Sequence, residues 1–214
     1  ARPLGLAFSV VSAEAYYVVL PDDEKQTQEI LEEFRSVFED PRIAKIGHNL
    51  KYDLTLLKWQ GIDVQGELFD TMLAHSMKEP EMRHGLDYLS KLYLGYLPIE
   101  TKDLIGEKGK DQKCMSEVPL DKLAEYACED ADVTLQIANL IGPDIVAQGT
   151  SQVCNEVECP LIPVLVDMEH EGIRLDTQAL AIFSEKLANE IDALQSSIYE
   201  AAGHEFNIDS PKQL

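Results

Sequence analysis

The chain has 214 residues, 45% hydrophobic and 27% charged, enough for one large core or two modest ones and too apolar for a disordered tail. Eighteen Lys and Arg against 39 Asp and Glu leave a formal net charge of −21. A passive DNA-coating protein should be basic, because phosphate neutralisation supplies most of its affinity, so the composition argues against that class; it does not exclude an enzyme whose carboxylates hold cations.

The pattern begins with a strand pair, Leu4–Val11 and Ala15–Leu20, β-branched and aromatic, joined through Ser12–Glu14. Pro21-Asp22-Asp23 opens a helix over Glu24–Phe38, with Ile30, Leu31, Phe34 and Phe38 at helical steps. Ala44–Gly47 reads as a short buried strand, followed by a helix with Asn49 as N-cap and Gly61 as its stop. A small strand at Leu68-Phe69 precedes helices Thr71–Met77 and Leu86–Leu94, then a Lys/Gly-rich loop over Thr101–Lys113. A long helix runs from Leu120 to Gly142-Pro143, its inner stripe being Leu123, Ala127, Ala131, Leu135 and Ala138. Beyond Gly149 the strand signals stop. Cys159–Met168 is strongly apolar, Gly172 ends it, and Thr177–Ala202 is a long amphipathic helix. The fold class is therefore α/β followed by an all-α segment, with a boundary at 149/150. Charge does not mark that boundary, since 15 basic and 27 acidic residues precede it and 3 and 12 follow.

No run reaches the roughly 20 apolar residues of a membrane span. The start, Ala-Arg-Pro-Leu-Gly, lacks both a secretory signal and an initiator methionine and reads as a cut or recombinant fragment. The cysteines at 114, 128, 154 and 159 form no C-x-x-C pair, which points to reduced, structural thiols in a cytoplasmic protein.

Phosphate loops, G-x-S-x-G elbows and H-E-x-x-H helices are absent from the sequence. Two constellations remain. In Gly47-His48-Asn49-Leu50-Lys51-Tyr52-Asp53, Asp53 lies one turn after Asn49 on the same face; taken alone this is ordinary helix-end electrostatics. In Tyr126-Ala127-Cys128-Glu129-Asp130-Ala131-Asp132, Tyr126 and Asp130 share a face; taken alone this is an exposed acidic turn beside a half-buried tyrosine. Together, carboxylates on two helices with a phenol beside one suit a hard divalent cation and phosphoryl transfer, with the phenol orienting water.

Four segments, GHNLKYDLTLL (47–57), FDTMLAHSM (69–77), RHGLDYL (83–89) and YACEDADVTLQ (126–136), resemble the 3′–5′ proofreading exonuclease domain of the bacterial DNA polymerase I family, or family A DNA polymerases. Two more, ECPLIPVLVDMEHEGIRLD (158–176) and FNIDSPKQL (206–214), resemble the start of that family's polymerase region, so the likeness covers nearly the whole chain in order. It implies a ribonuclease-H-like mixed sheet over 1–149 and the first thumb helices over 150–214. It also implies Asp53 and Asp130 as ligands of Mg²⁺ or Mn²⁺, two ions in the parent, and Tyr126 as the group that positions the attacking water. Asn49, Arg83 and His84 would contact the single-stranded 3′ end of DNA, although Arg83 and His84 also read as ordinary loop residues after Pro80. The implied reaction is two-metal hydrolysis releasing nucleoside 5′-monophosphates, in a parent that also synthesises DNA.

The family's first motif, Asp-x-Glu on the strand before the hairpin, does not occur before Leu4; Asp22, Asp23 and Glu24 come at the hairpin's wrong end. Such a pair points to one face of a strand, so both carboxylates reach the metals. Weak or absent metal binding and little nuclease activity are expected of these 214 residues alone, and no polymerisation. An unfilled place in the sheet would be met by a dimer through the exposed sheet or by a shifted sheet. The rival readings are a ribonuclease-D-like RNA exonuclease, which shares the two short motifs but not the C-terminal segments, and a metal-free scaffold domain. Besides DNA, the remainder of the polymerase chain is the expected partner.

Overall fold

The computed structural model describes residues 2–213, which pack as two units, one ending at Glu171 and the other beginning at Gly172. The first unit opens with an antiparallel hairpin, β1 (Gly5–Val11) and β2 (Glu14–Val19). Its two-residue turn puts Ala13 at φ 70°. Gly5 leaves room for the Tyr17 phenol across the hairpin, 2.2 Å from where a Cβ would sit. Helix α1 (Glu24–Phe38) is capped by Asp23, which accepts the Gln26 N–H at 2.8 Å.

Strand β3 (Lys45–Gly47) pairs in parallel with β4 (Leu68–Asp70), the crossover being α2 (Leu50–Trp59). The expected mixed pairing is thus present as two separate two-stranded pieces, and among the described residues neither β1 nor β3 is paired along its second edge. That edge explains a departure from expectation: β3 is not buried, and Ile46 is 42% exposed.

Helices α3 (Thr71–Lys78), α4 (Leu86–Leu94), α5 (Thr101–Ile105) and α6 (Leu120–Ala147) follow, α5 lying inside the segment read as loop. Helix α6 packs against both β1 and β3. It does not stop at Gly142-Pro143 but runs through Pro143 to Ala147, since Ile141 and Ile145 on the same side are anchored in the core. Its buried face is also rotated from the expected stripe. Val133, Ile137, Ala138, Ile141 and Ile145 are buried, while Leu123, Ala127, Ala131 and Leu135 are half-buried.

One cluster joins α2, α3, α4 and α6 through Leu50, Leu54, Ala74, Leu89 and Ile137 to the helical stretch after Gly149, through Ile162 and Val166. A second joins Leu20, Leu31, Phe38 and Ile62 to Leu57. Helix α2 therefore touches both, which fixes its direction. After the short α7 (Ser151–Val153) and a π turn (Cys154–Glu158), helix α8 (Cys159–Glu171) lies on α2, tied by Lys51–Glu169 and by Lys58–Asp167 at 3.1 Å. The segment 150–171, beyond the 149/150 boundary read from the sequence, packs within the first unit.

The second unit contains α9 (Thr177–Ala202). Asp176 caps its start through the Ala179 N–H at 2.9 Å, and Gly203, at φ 74°, ends it. Among the described residues no helix is long and apolar enough to cross a membrane.

Candidate active site

The site is organised by a residue to which the sequence pattern gives no prominence. Asp70 ends β4, is 2% exposed, and has four backbone donors. One carboxylate oxygen accepts Met72 N–H at 2.8 Å, Leu73 N–H at 3.3 Å and Asn49 N–H at 3.2 Å; the other accepts Leu50 N–H at 2.7 Å. Asp70 thus caps α3 as its own N-cap and α2 from across the parallel pair. This corrects the expectation for Asn49. Its side chain makes no capping bond, and its backbone is left-handed at φ 62°, because the cap is supplied by Asp70. The Asn49 side chain stands at the exposed start of α2. Gly47 admits this tight entry, since a Cβ would fall 2.2 Å from the Leu50 side chain.

His48 locks the same junction. The Thr71 hydroxyl lies 3.1 Å from the Gly47 carbonyl and 2.9 Å from His48 Nδ1, and burial lowers the His48 pKa. The imidazole is therefore a neutral structural group.

With α2 so fixed, Asp53 one turn in comes close enough to Asp130 on α6 for the two charges to interact. Asp53 keeps a solvent-open side, yet protein atoms crowd it on the others, and this loss of water pushes its pKa up to about 6, with the charges of Asp70 and Asp130 adding. Asp130 is half-buried and also pushed up to about 6, by desolvation, against which the Tyr126 phenol acts. Burial likewise raises Tyr126, so its phenol keeps its proton at neutral pH; it lies 3.3 Å from the Thr101 hydroxyl. Asp53, Tyr126 and Asp130 are thereby brought together.

The other acids of the 126–132 motif have different work. Glu129 accepts Tyr96 O–H and, at 2.6 Å, Ile99 N–H, holding the segment before α5 against α6. Asp132 accepts the Ala13 N–H at 2.7 Å and so ties the hairpin tip to α6. Asp130 is the carboxylate of the three that pairs with the Tyr126 phenol. The motif is not a solvated acidic turn.

Arg83 is exposed, and with Asp87, Tyr88 and Lys91 it lines a shallow cavity of about 280 Å³. His84 is half-buried, its Nδ1 2.7 Å from Nδ1 of the fully buried His75. His75 Nε2 has no partner; a buried lone pair is cheaper to leave unpaired than a buried N–H, so His75 carries its proton on Nδ1 and donates to His84. The structure thus separates Arg83 and His84, one facing the cavity and the other tied inward.

Among the described residues no three His, Cys, Asp or Glu side chains form a metal-holding group. Asp53 and Asp130, two desolvated carboxylates of which the first also feels the charge of the second, are donors that fit a hard divalent cation.

Residues 4–145 match the family model described as 3′–5′ exonuclease. The chain is 40% identical over 196 residues to a DNA polymerase I of Rhizobium leguminosarum, covering 91% of this chain and 19% of that protein, so it spans about a fifth of this relative's length. Among solved structures, the polymerase domain of Pol1 from M. smegmatis in complex with DNA primer-template and dNTP superposes with a TM-score of 0.78 at 21% identity, covering 99% of this chain and 33% of that one. Brucella melitensis NrnC superposes at 0.64 with 19% identity, covering 80% of this chain and 78% of that one, and is also known with bound Mg²⁺. At these identities the superpositions speak for the fold, which is ribonuclease-H-like.

Proposed function

Because the chain belongs to the 3′–5′ exonuclease family of DNA polymerase A, we propose that its site hydrolyses the terminal phosphodiester of a single-stranded DNA 3′ end as the proofreading part of a bacterial DNA polymerase I. The observation that carries this reading is the approach of Asp53 and Asp130 from different helices, each held at a raised pKa, with Tyr126 one turn before Asp130. Asp53 and Asp130 would hold Mg²⁺ or Mn²⁺, which supplies neutralisation of phosphate charge and a more acidic water. The protonated Tyr126 phenol would orient an attacking water, and Asp70 keeps Asp53 in place through the cap on α2. Arg83 at its cavity and Asn49 at the α2 entry are the proposed contacts for the strand, with His84 setting the course of the loop between them.

The unpaired second edges of β1 and β3, both beside α6, are where a strand bearing Asp-x-Glu would complete both the sheet and the metal site. The 214 residues alone are therefore proposed to bind metal weakly and to cut slowly. The test is a degradation assay on 5′-labelled single-stranded DNA and RNA with Mg²⁺ or Mn²⁺, comparing this chain with a longer chain to whose start a strand bearing Asp-x-Glu has been added. Stepwise 3′-end loss on DNA by the longer chain, abolished by Asp130→Ala, is expected. RNA-only cutting transfers the site to RNA trimming, and no cutting by a folded longer chain leaves a scaffold.

A further inference from the structure

Cys154 and Cys159 are free thiols, 0% and 1% exposed, with their sulfurs 3.9 Å apart. An α-helix does not stack residues five apart. The intervening π turn does, closing through the Cys159 N–H to the Cys154 carbonyl. Pro160 follows the turn, and the wider turn clears the clash its ring would make with the Glu156 carbonyl in a regular helix. The Asp70 backbone amide also favours the Cys159 thiolate. These donors pull the Cys159 thiol down to about 7, while the same contact and burial push Cys154 up.

We propose that Cys154 and Cys159 form a modification site, a buried dithiol that a disulfide oxidant closes into an intrachain disulfide. The Cys159 thiolate attacks one sulfur of oxidised glutathione, breaking its S–S bond and releasing one glutathione thiolate. The Cys154 thiolate then attacks the Cys159 sulfur of the mixed disulfide, forms the protein S–S bond and releases the second glutathione. Two protons pass from the cysteines to the two glutathione thiolates, and the protein gives up the two electrons that reduce the oxidant. Since both sulfurs are buried, the 151–158 turn opens first, which makes the reaction slow. Closure draws the Cys159 sulfur off the Asp70 amide, at the residue that caps α2. The proposal stands apart from the nuclease reading.

The experiment treats the folded wild-type chain with oxidised glutathione and follows intact mass, then digests without reduction after glutamates. Cleavage at Glu129, Glu156 and Glu158 puts Cys128, Cys154 and Cys159 on separate peptides. The expected result is a loss of about 2 Da, reversed by dithiothreitol, with the Cys154 and Cys159 peptides linked. Hydrogen exchange over residues 68–73 should rise on oxidation, and Cys159→Ser should abolish the mass loss. A stable glutathione adduct, a link through Cys114 or Cys128, mass loss in Cys159→Ser, or an unchanged mass under conditions that cross-link the urea-unfolded chain would each overturn it.

Discussion

The Asp70 carboxylate accepts the Leu50 N–H at 2.7 Å across the parallel strand pair, while its other oxygen caps its own helix through Met72 at 2.8 Å. One buried anion thereby sets the starts of two helices, and α2 carries Asp53. Asp70→Ala leaves both helix ends uncapped and buried amides unpaired. It should cost about 3–4 kcal/mol, from two caps of about 1 kcal/mol each plus the desolvation penalty of the stranded donors. Asp70→Asn keeps an acceptor on one side only and should cost about half as much. Urea midpoints of the three chains measure this, and equal midpoints would refute the double cap.

Glu129 makes the corresponding link for α5, accepting the Ile99 N–H at 2.6 Å beside its bond from Tyr96. Glu129→Gln turns one acceptor into a donor that faces another donor, at a cost of about 1 kcal/mol. The loss should be local. Amide exchange over residues 96–100 should quicken several-fold while exchange in the α6 core around Ile137 stays unchanged; a uniform change along the chain would place Glu129 in general stability instead.

Hairpin, α1, α4 and α9 are legible because periodicity, caps and turn residues agree there. Helix α6 is legible as a helix but not in its orientation. Its small residues, Ala127 and Ala131, mimic an inner face, whereas the bulk that fills the core comes from Val133, Ile137, Ile141 and Ile145. Pro143 reads as a stop, yet two buried isoleucines on either side outweigh its missing hydrogen bond. The consequence is measurable: Ile141→Ala should cost about 3 kcal/mol, but Leu123→Ala, from a half-buried site, about 1 kcal/mol. Equal costs would restore the stripe read from the sequence.

At the site, spacing puts Asp53 on the Asn49 face of one helix and Asp130 on the Tyr126 face of another, but their roles come from the family resemblance and not from the spacing. Asp70 is not, since its partners at 49 and 50 lie across a crossover and no local pattern encodes them. Its one signal is a position just before Thr71 and a helix, an ordinary N-cap pattern. The π turn at 154–158 is hidden for a similar reason, since it brings together two thiols that meet only when folded.

The carboxyls of Asp53 and Asp130 are each raised to about 6 from the ordinary 3.8. Between about pH 4 and pH 6 the folded chain therefore holds more protons than the unfolded one, so this pair's contribution to stability falls as pH rises through that window and stays unfavourable above it. In the metal-free chain, Asp53→Asn/Asp130→Asn should match wild type in melting temperature near pH 4 and exceed it increasingly up to about pH 6.5. Because Asp53 is open to solvent on one side, water and salt screen part of the effect, and raising the salt should narrow the gap. Mg²⁺ or Mn²⁺ at pH 7 should raise the wild-type melting temperature while leaving the double variant unmoved, since only the former has anions to neutralise. A difference between the two chains that does not vary with pH would show that the carboxylates are not held at raised pKa values, and equal stabilisation of both by the cation would place its binding elsewhere.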